Sequence, residues 1–276
     1  MRRLSFVPIF ALLSLRDALI SASSPASSNR HSFSLTTFDP SGKLFQVDHA
    51  VEAAALGAPI LALVLEDKVI LAAPQNLPSP LMIDDGTPRF TRLSPSIVMA
   101  YTGLSGDGRR VSMEAQRMVL NYQYTFDEEI PIETLLQQLS LLFQSYTMKP
   151  GRRPFGCTIV IGCVPSAVGD LERSPQLFRL DPSGSISACA NATVVNWKGD
   201  ADTDQLRREL GDFKGDDAAQ RVLLSKWFND ALAREASKKG ETQTAQRRIL
   251  LASTSCNGDF VQECQVMGRE EVEKES

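Results

Sequence analysis

Histidine is almost missing from this chain. Only two of its 276 residues, His31 and His49, are histidine, and no Ser-His-Asp relay or histidine-built zinc site can be assembled from them. Cysteine is scarce and unpatterned. Cys157, Cys163, Cys189, Cys256 and Cys264 contain no Cys-x-x-Cys pair and are odd in number. That argues against a zinc ribbon or a closed disulfide framework, and the five read as buried thiols of an intracellular protein. A long hydrophobic run is lacking too. The apolar stretch Leu4–Leu15 stops at Arg16 and Asp17, short of the roughly 20 residues a membrane-spanning helix needs. Nor is there an excess of one charge: the net charge is −4, and nothing global points to nucleic acid. Neither nucleic acid nor a membrane is an expected partner.

What is present suffices for a large core. The length fits one domain or two small ones, and a hydrophobic content of 43% is ordinary for a globular chain. The first 30 residues stand apart. Arg2-Arg3 precede the apolar run, and a Ser/Ala-rich stretch follows over Ser21–Ser28, which is close to a secretory or organelle-targeting peptide. The other readings are a disordered N-terminal tail or a wrongly assigned translation start.

Periodicity predicts the elements. Ile60–Glu66 and Lys68–Ala73 are apolar, β-rich runs that read as a hairpin, and Pro74–Pro88 as a polar, proline-rich connection. Ser96–Thr102 is a third strand and Gly103–Gly108 the turn after it. Val111, Ala115, Met118, Val119 and Tyr122 put one apolar face on a helix over Arg109–Tyr122. Pro131 suits the first position of a second helix, whose wide stripe runs from Ile132 to Tyr146. Strands resume over Phe155–Val164, Gln176–Leu180 and Ser185–Ala190, the last two joined by Asp181-Pro182-Ser183-Gly184. A long helix is expected over Asp217–Lys238. Arg248–Thr254 and Phe260–Val266 flank Asn257-Gly258, a strong hairpin signal, and Glu270–Ser276 is an acidic, frayed tail. This order is not the regular alternation of a doubly wound sheet. It predicts an α+β chain with two antiparallel sheets face to face and helices outside them.

The densest motif runs from Phe38 to Ala50. Asp39, Pro40 and Gly42 suit the first, second and fourth positions of a tight turn. Val47, Ala50, Val51 and Ala54 then recur at i, i+3, i+4, i+7 on a short helix, with Gly57 as its stop. The apolar face is narrow and mostly alanine, so this helix should lie close to its neighbour. On pattern alone this is a surface turn and an amphipathic helix. Residue by residue, however, it resembles the N-terminal signature of 20S proteasome α subunits, Phe-Ser-Pro-x-Gly-(Arg/Lys)-Leu-x-Gln-Val-(Glu/Asp)-Tyr-Ala. Thirteen positions depart from it at two, Asp39 for Ser and His49 for Tyr.

The resemblance spans roughly Ser32 to Val266. Ser32–Phe38 resembles the start of the type-two branch. Gly103, Asp107 and Arg109 resemble the family's entry to its first long helix, Arg153-Pro154-Phe155-Gly156 the opening of its middle strand, and Asp181–Gly184 its hairpin turn. There are departures. Ala190–Val195 lacks the Lys and the Gly of the family's Lys-Ala-x-Ala-x-Gly. Pro74-Gln75 stands where an acidic residue and a Lys are common, and His31 and His49 replace gate-region tyrosines.

The resemblance implies a four-layer αββα sandwich, the N-terminal-nucleophile hydrolase-like fold, in a catalytically inactive member. Residues 31–267 would form the α-subunit domain, between an N-terminal extension at 1–30 and an acidic tail at 268–276. It implies a non-catalytic α-ring subunit of the 20S core particle, acting in assembly, substrate gating and regulator docking during ubiquitin-dependent degradation. The implied partners are other α subunits, β subunits and a regulatory cap, in cytoplasm and nucleus, and residues 1–30 leave organellar or secretory targeting open. Phe38, Asp39, Pro40, Gly42, Gln46, His49, Ala50 and Ala54 would form the ring-contact and gate motif, and Gln75 would border the regulator pocket. In place of the family's Lys, Gln75 offers a neutral amide.

Catalytic alternatives fail on the residues. Proteasome β subunits use an N-terminal Thr, exposed by cleavage after Gly, with its own amine as base. Thr36-Thr37 follows Leu35, and cutting at Gly86-Thr87 would discard the first hairpin. Gly42-Lys43 lacks the remainder of a phosphate loop. Asp84-Asp85 has no completing metal ligands nearby. No catalytic residue, metal or cofactor is expected. The competing functions are a diverged stand-alone protein of the same fold and a self-processing amidohydrolase.

Overall fold

A computed structural model of the chain describes residues 37–75, 89–149, 151–164, 174–196, 247–255 and 260–267. Three helices and ten strands fall within them. In chain order they are α1 (Phe45–Ala55), β1 (Ile60–Val64), β2 (Lys68–Gln75), β3 (Phe90–Arg92), β4 (Ile97–Gly103), α2 (Ser105–Phe126) and α3 (Ile132–Met148). There follow β5 (Cys157–Cys163), β6 (Gln176–Leu180), β7 (Ile186–Cys189), β8 (Ala192–Val195), β9 (Arg247–Ser255) and β10 (Phe260–Met267).

The strands pair in two five-stranded sheets, β10-β9-β2-β1-β8 and β3-β4-β5-β6-β7, and every pairing is antiparallel. Side-chain alternation joins them face to face. Ile60 and Ala62 of β1, Val69, Leu71 and Ala73 of β2, and Ala252 of β9 share one buried cluster with Phe90, Val98, Ala100, Val160 and Leu177 of the other sheet. The intervening residues point the opposite way. On β4 and β5 these are Ile97, Met99, Tyr101, Ile159 and Ile161, which pack with Val111, Ala115 and Val119 of α2 and Leu135, Leu139 and Phe143 of α3. On β1 and β2 they are Leu61, Leu63, Ile70 and Ala72, all at most 1% exposed, so both faces of these two strands are buried too. Helix pair, sheet and sheet follow in the order expected of the sandwich. The expected helix over 217–238 and the Asn257-Gly258 turn lie outside the described residues.

Several boundaries differ from the sequence reading. The predicted turn at Gly103–Gly108 is shorter, because α2 begins at Ser105. Ser112 and Gly108 already belong to its buried face, and the Ser112 hydroxyl bonds back to the Gly108 carbonyl at 2.9 Å. Pro131 stands one residue before α3 in extended backbone, φ −61° and ψ 140°, rather than at its first helical position. Two strands were not anticipated. β3 has three residues, too few to show a period, and β8 lies in the stretch Ala190–Val195 that departs from the family pattern. Pro74 and Gln75, read as connection, continue β2 opposite Ile249 and Arg248.

The helix–sheet layer gives a direct test of burial. Leu139 is fully buried and Leu141, two residues on, is 56% exposed. Leu139→Ala is expected to cost about 2–5 kcal/mol in urea unfolding, and Leu141→Ala to stay within about 0.5 kcal/mol of the wild type. Equal losses at both positions would contradict this placement of α3.

Candidate functional site

The signature motif folds as its residues dictate. The Gly42 amide donates to the Asp39 carbonyl at 2.7 Å, and the Asp39 amide to the Lys43 carbonyl at 2.9 Å. The Asp39 carboxylate accepts from the Ser41 hydroxyl at 2.7 Å and from its amide at 3.2 Å. Gly42 takes the left-handed conformation, φ 81°, which a side chain would resist. Pro40 and Gly42 are exposed, and Phe38 is 64% exposed. The turn thus holds an aromatic side chain outward at the entrance to α1.

Helix α1 lies against β4 and β5. Its buried residues are Ala50 and Ala54, and this corrects one expectation. The alanine face does permit a close approach, but to the chain's own sheet, so an Ala50→Arg change would strike the fold before any neighbour. Val51, assigned to the apolar face, is exposed, as are His49, Glu52 and Leu56; Gln46 is half-buried. His49 Nδ1 lies 3.7 Å from Glu52 Oε2, an ion pair when the imidazole is protonated. The outward face of α1, with Phe38 before it, is therefore what the motif offers to another molecule. Gly57 is not a left-handed helix stop. The helix ends at Leu56 in right-handed geometry, and a Cβ on Gly57 would collide with the Gly103 backbone and the Thr102 hydroxyl.

That collision marks a crowded corner. At Gly103, φ 110°, a Cβ would collide with the Gly156 carbonyl and the Cys157 backbone and crowd the Ala54 backbone. The Thr102 hydroxyl donates to the Ala58 carbonyl at 2.5 Å, and Asn196 Nδ2 donates to the Ala54 carbonyl at 2.6 Å and to Thr102 Oγ1 at 3.0 Å. Beside the corner, Asp107 in the first turn of α2 accepts two hydrogen bonds from Arg153, at 2.6 and 2.7 Å, and one from the Gly156 amide at 2.9 Å. Burial alone would raise the Asp107 carboxyl; the Arg153 hydrogen bonds, the Gly156 amide and the Arg153 charge outweigh it and hold the group below its ordinary 3.8.

Sequence reading had noted Asp107 and Arg153 in separate landmarks without pairing them. Two opposite charges in two such landmarks were the available signal. Asn196 was missed altogether. Gln75 ends β2 with its backbone opposite Arg248. His31 and Gly86-Thr87 lie outside the described residues.

Chemistry at this corner is poor. Burial pushes the Cys157 thiol up to about 12, with the Asp107 charge adding to the shift, so it stays protonated at neutral pH and is no nucleophile. No group of three His, Cys, Asp or Glu side chains placed to hold a metal occurs among the described residues. What the corner does supply is a seat for a helix whose outer face is exposed.

Comparison with known proteins decides the family. Residues 31–53 match the N-terminal signature of A-type proteasome subunits, and residues 54–245 match the general family of proteasome subunits. The chain belongs to the proteasome α-type subunits. Its relatives include the alpha type-2 proteasome subunit of Oryza sativa subsp. indica, 31% identical over 71% of this chain and 81% of the relative. The alpha type-2 subunit of Trypanosoma brucei brucei is 30% identical over 79% and 93%, and that of Drosophila melanogaster 33% over 71% and 81%. The resemblance read from the motif, including its lean toward type two, is thus borne out. Both five-stranded antiparallel sheets and their shared core fit the hydrolase-like sandwich of this proteasome family.

The latch beside the corner yields a pH prediction. Because the folded Asp107 carboxyl is depressed, its contribution to stability is full above the ordinary 3.8 and is lost as pH falls through the lower folded value. Arg153 is 64% exposed, so solvent screening discounts the pair, and Asp107→Ala is expected to cost about 1–2 kcal/mol at neutral pH. Urea unfolding of both proteins, repeated at steps of falling pH, should show the difference shrink in acid. A difference that stays constant with pH would contradict the latch.

Proposed function

We propose that this chain is a non-catalytic subunit of the α ring of a 20S proteasome core particle, serving assembly, substrate gating and regulator docking in ubiquitin-dependent protein degradation. The observation that carries the reading is the α-type signature at residues 31–53, which folds as a turn and a helix with an exposed outer face. Phe38, His49, Val51 and Leu56 on that face serve contact with neighbouring α subunits. Asp39, Pro40 and Gly42 shape the turn, Gln46 sits half-buried on α1, and Ala50 and Ala54 seat the helix. One domain over residues 31–267 would meet α neighbours within the ring, a β subunit on one side and a regulatory cap on the other. No helix among the described residues is long and apolar enough to cross a membrane, and cytoplasm and nucleus are the proposed compartments. If residues 1–30 act as a targeting peptide, the compartment is an organelle or the secretory path instead.

The test is native mass and activity together. A tagged full-length chain expressed in its own cells should elute in a complex of several hundred kilodaltons with other proteasome subunits. The isolated chain should not hydrolyse fluorogenic peptides. A monomer near 30 kDa, or hydrolysis lost on Thr36→Ala or Thr37→Ala, would overturn the reading.

The regulator pocket is tested separately. A Lys at the end of β2 would supply a charge-assisted bond to a tail carboxylate, about 1.5–3 kcal/mol, which the Gln75 amide lacks. Gln75→Lys is expected to raise regulator-tail peptide affinity for assembled particles about tenfold or more, with the gain shrinking as salt is added. Equal affinities at low salt would remove Gln75 from the pocket.

A further inference from the structure

Helix α1 is weakly held by the usual devices. It has 11 residues, no side-chain cap at its N-terminal Leu44 and no basic residue in its last turn, and its two buried residues are alanines. An isolated helix of that length is marginal, and alanine burial supplies little apolar area. Its last turn is instead tied to the rest of the chain by Asn196. That residue lies just beyond β8 with left-handed backbone, φ 58°, which asparagine tolerates better than most side chains. The backbone turn aims its amide at the corner, where both amide protons are used, one on the Ala54 carbonyl and one on Thr102 Oγ1. Thr102 can accept because its own proton goes to the Ala58 carbonyl. One amide group thus joins α1, β4 and the end of β8 across 142 and 94 residues of sequence.

Few side chains could do both jobs. Glycine would adopt the backbone but offers no amide. Aspartate would keep the shape but has no proton to donate. We propose that Asn196 is the positioning residue of α1, fixing the angle at which its outer face meets a neighbouring subunit. This rests on the reading of α1 as a ring contact, and it adds a residue far from the signature motif to the assembly apparatus.

The experiment compares hydrogen exchange of the isolated full-length chain with incorporation of the tagged chain into proteasomes. In Asn196→Gly and Asn196→Asp, α1 amides should exchange about tenfold faster, the equivalent of one lost hydrogen bond, while α2 and α3 amides keep wild-type rates and incorporation falls. Thr102→Val should reproduce this and Thr102→Ser should not, which keeps the test open should an Asn196 variant fail to fold. Wild-type protection of α1 in folded Asn196→Gly would overturn the tether. Loosened α1 with full incorporation would overturn its role in assembly. Failure of the wild-type chain itself to incorporate would strike the α-ring reading, while exchange would still decide the tether.

Discussion

The contact between the two sheets is the constraint on which everything else depends. It requires β1, β2, β4 and β5 each to present small or branched apolar residues on one face in strict alternation. That same alternation hands the other face of β4 and β5 to α2 and α3. A register slip of one residue in any of these strands would turn both buried sets inside out. The antiparallel ladders prevent this by fixing the pairings residue by residue, from Leu61 opposite Ala72 to Gly103 opposite Cys157.

The corner where α1 sits is a by-product of those ladders. Gly103 closes β4 and Gly156 precedes β5, so the sheet ends in backbone without side chains. The small-residue face of α1, with Ala50 and Ala54 buried, fits that surface closely. Small residues on both sides bring backbone close to backbone. Polar groups at the edge then bond to the carbonyls there, Thr102 to that of Ala58 and Asn196 to that of Ala54. The exposed apolar side chains of α1 and its turn, Phe38, Val51 and Leu56, remain outside this packing.

Much of this was legible from the sequence because it is local. The continuous apolar runs of β1, β2 and β5 and the wide stripe of α3 carry their own signal, and the thirteen-residue motif around Gln46 named the family. Tertiary detail was not legible. The direction of the alanine face depends on a partner surface assembled from residues 103 and 156, which no local window contains. β3 is too short for a period, and β8 was hidden because its residues depart from the family pattern. Asn196 announces itself only through a backbone angle. For the proposed gate residues, sequence supplied the positions, and the fold adds hydrogen bonds for Asp39 and Gly42, an acidic neighbour for His49 and burial for Ala50 and Ala54.

The Asp107–Arg153 latch has a kinetic side. Its two residues are 46 apart, and the chain between them is the α2–α3 helical hairpin. The β4–β5 ladder closes the same loop, since Gly103 pairs with Cys157. Loop-closure entropy is lost once for a given loop, so whichever of ladder and latch forms first lowers the entropic barrier for the other. A helical hairpin that forms locally shortens the effective loop still further. Ladder and latch therefore share one closure cost, and the charged pair makes the β4–β5 ladder easier to close, as the ladder does the pair.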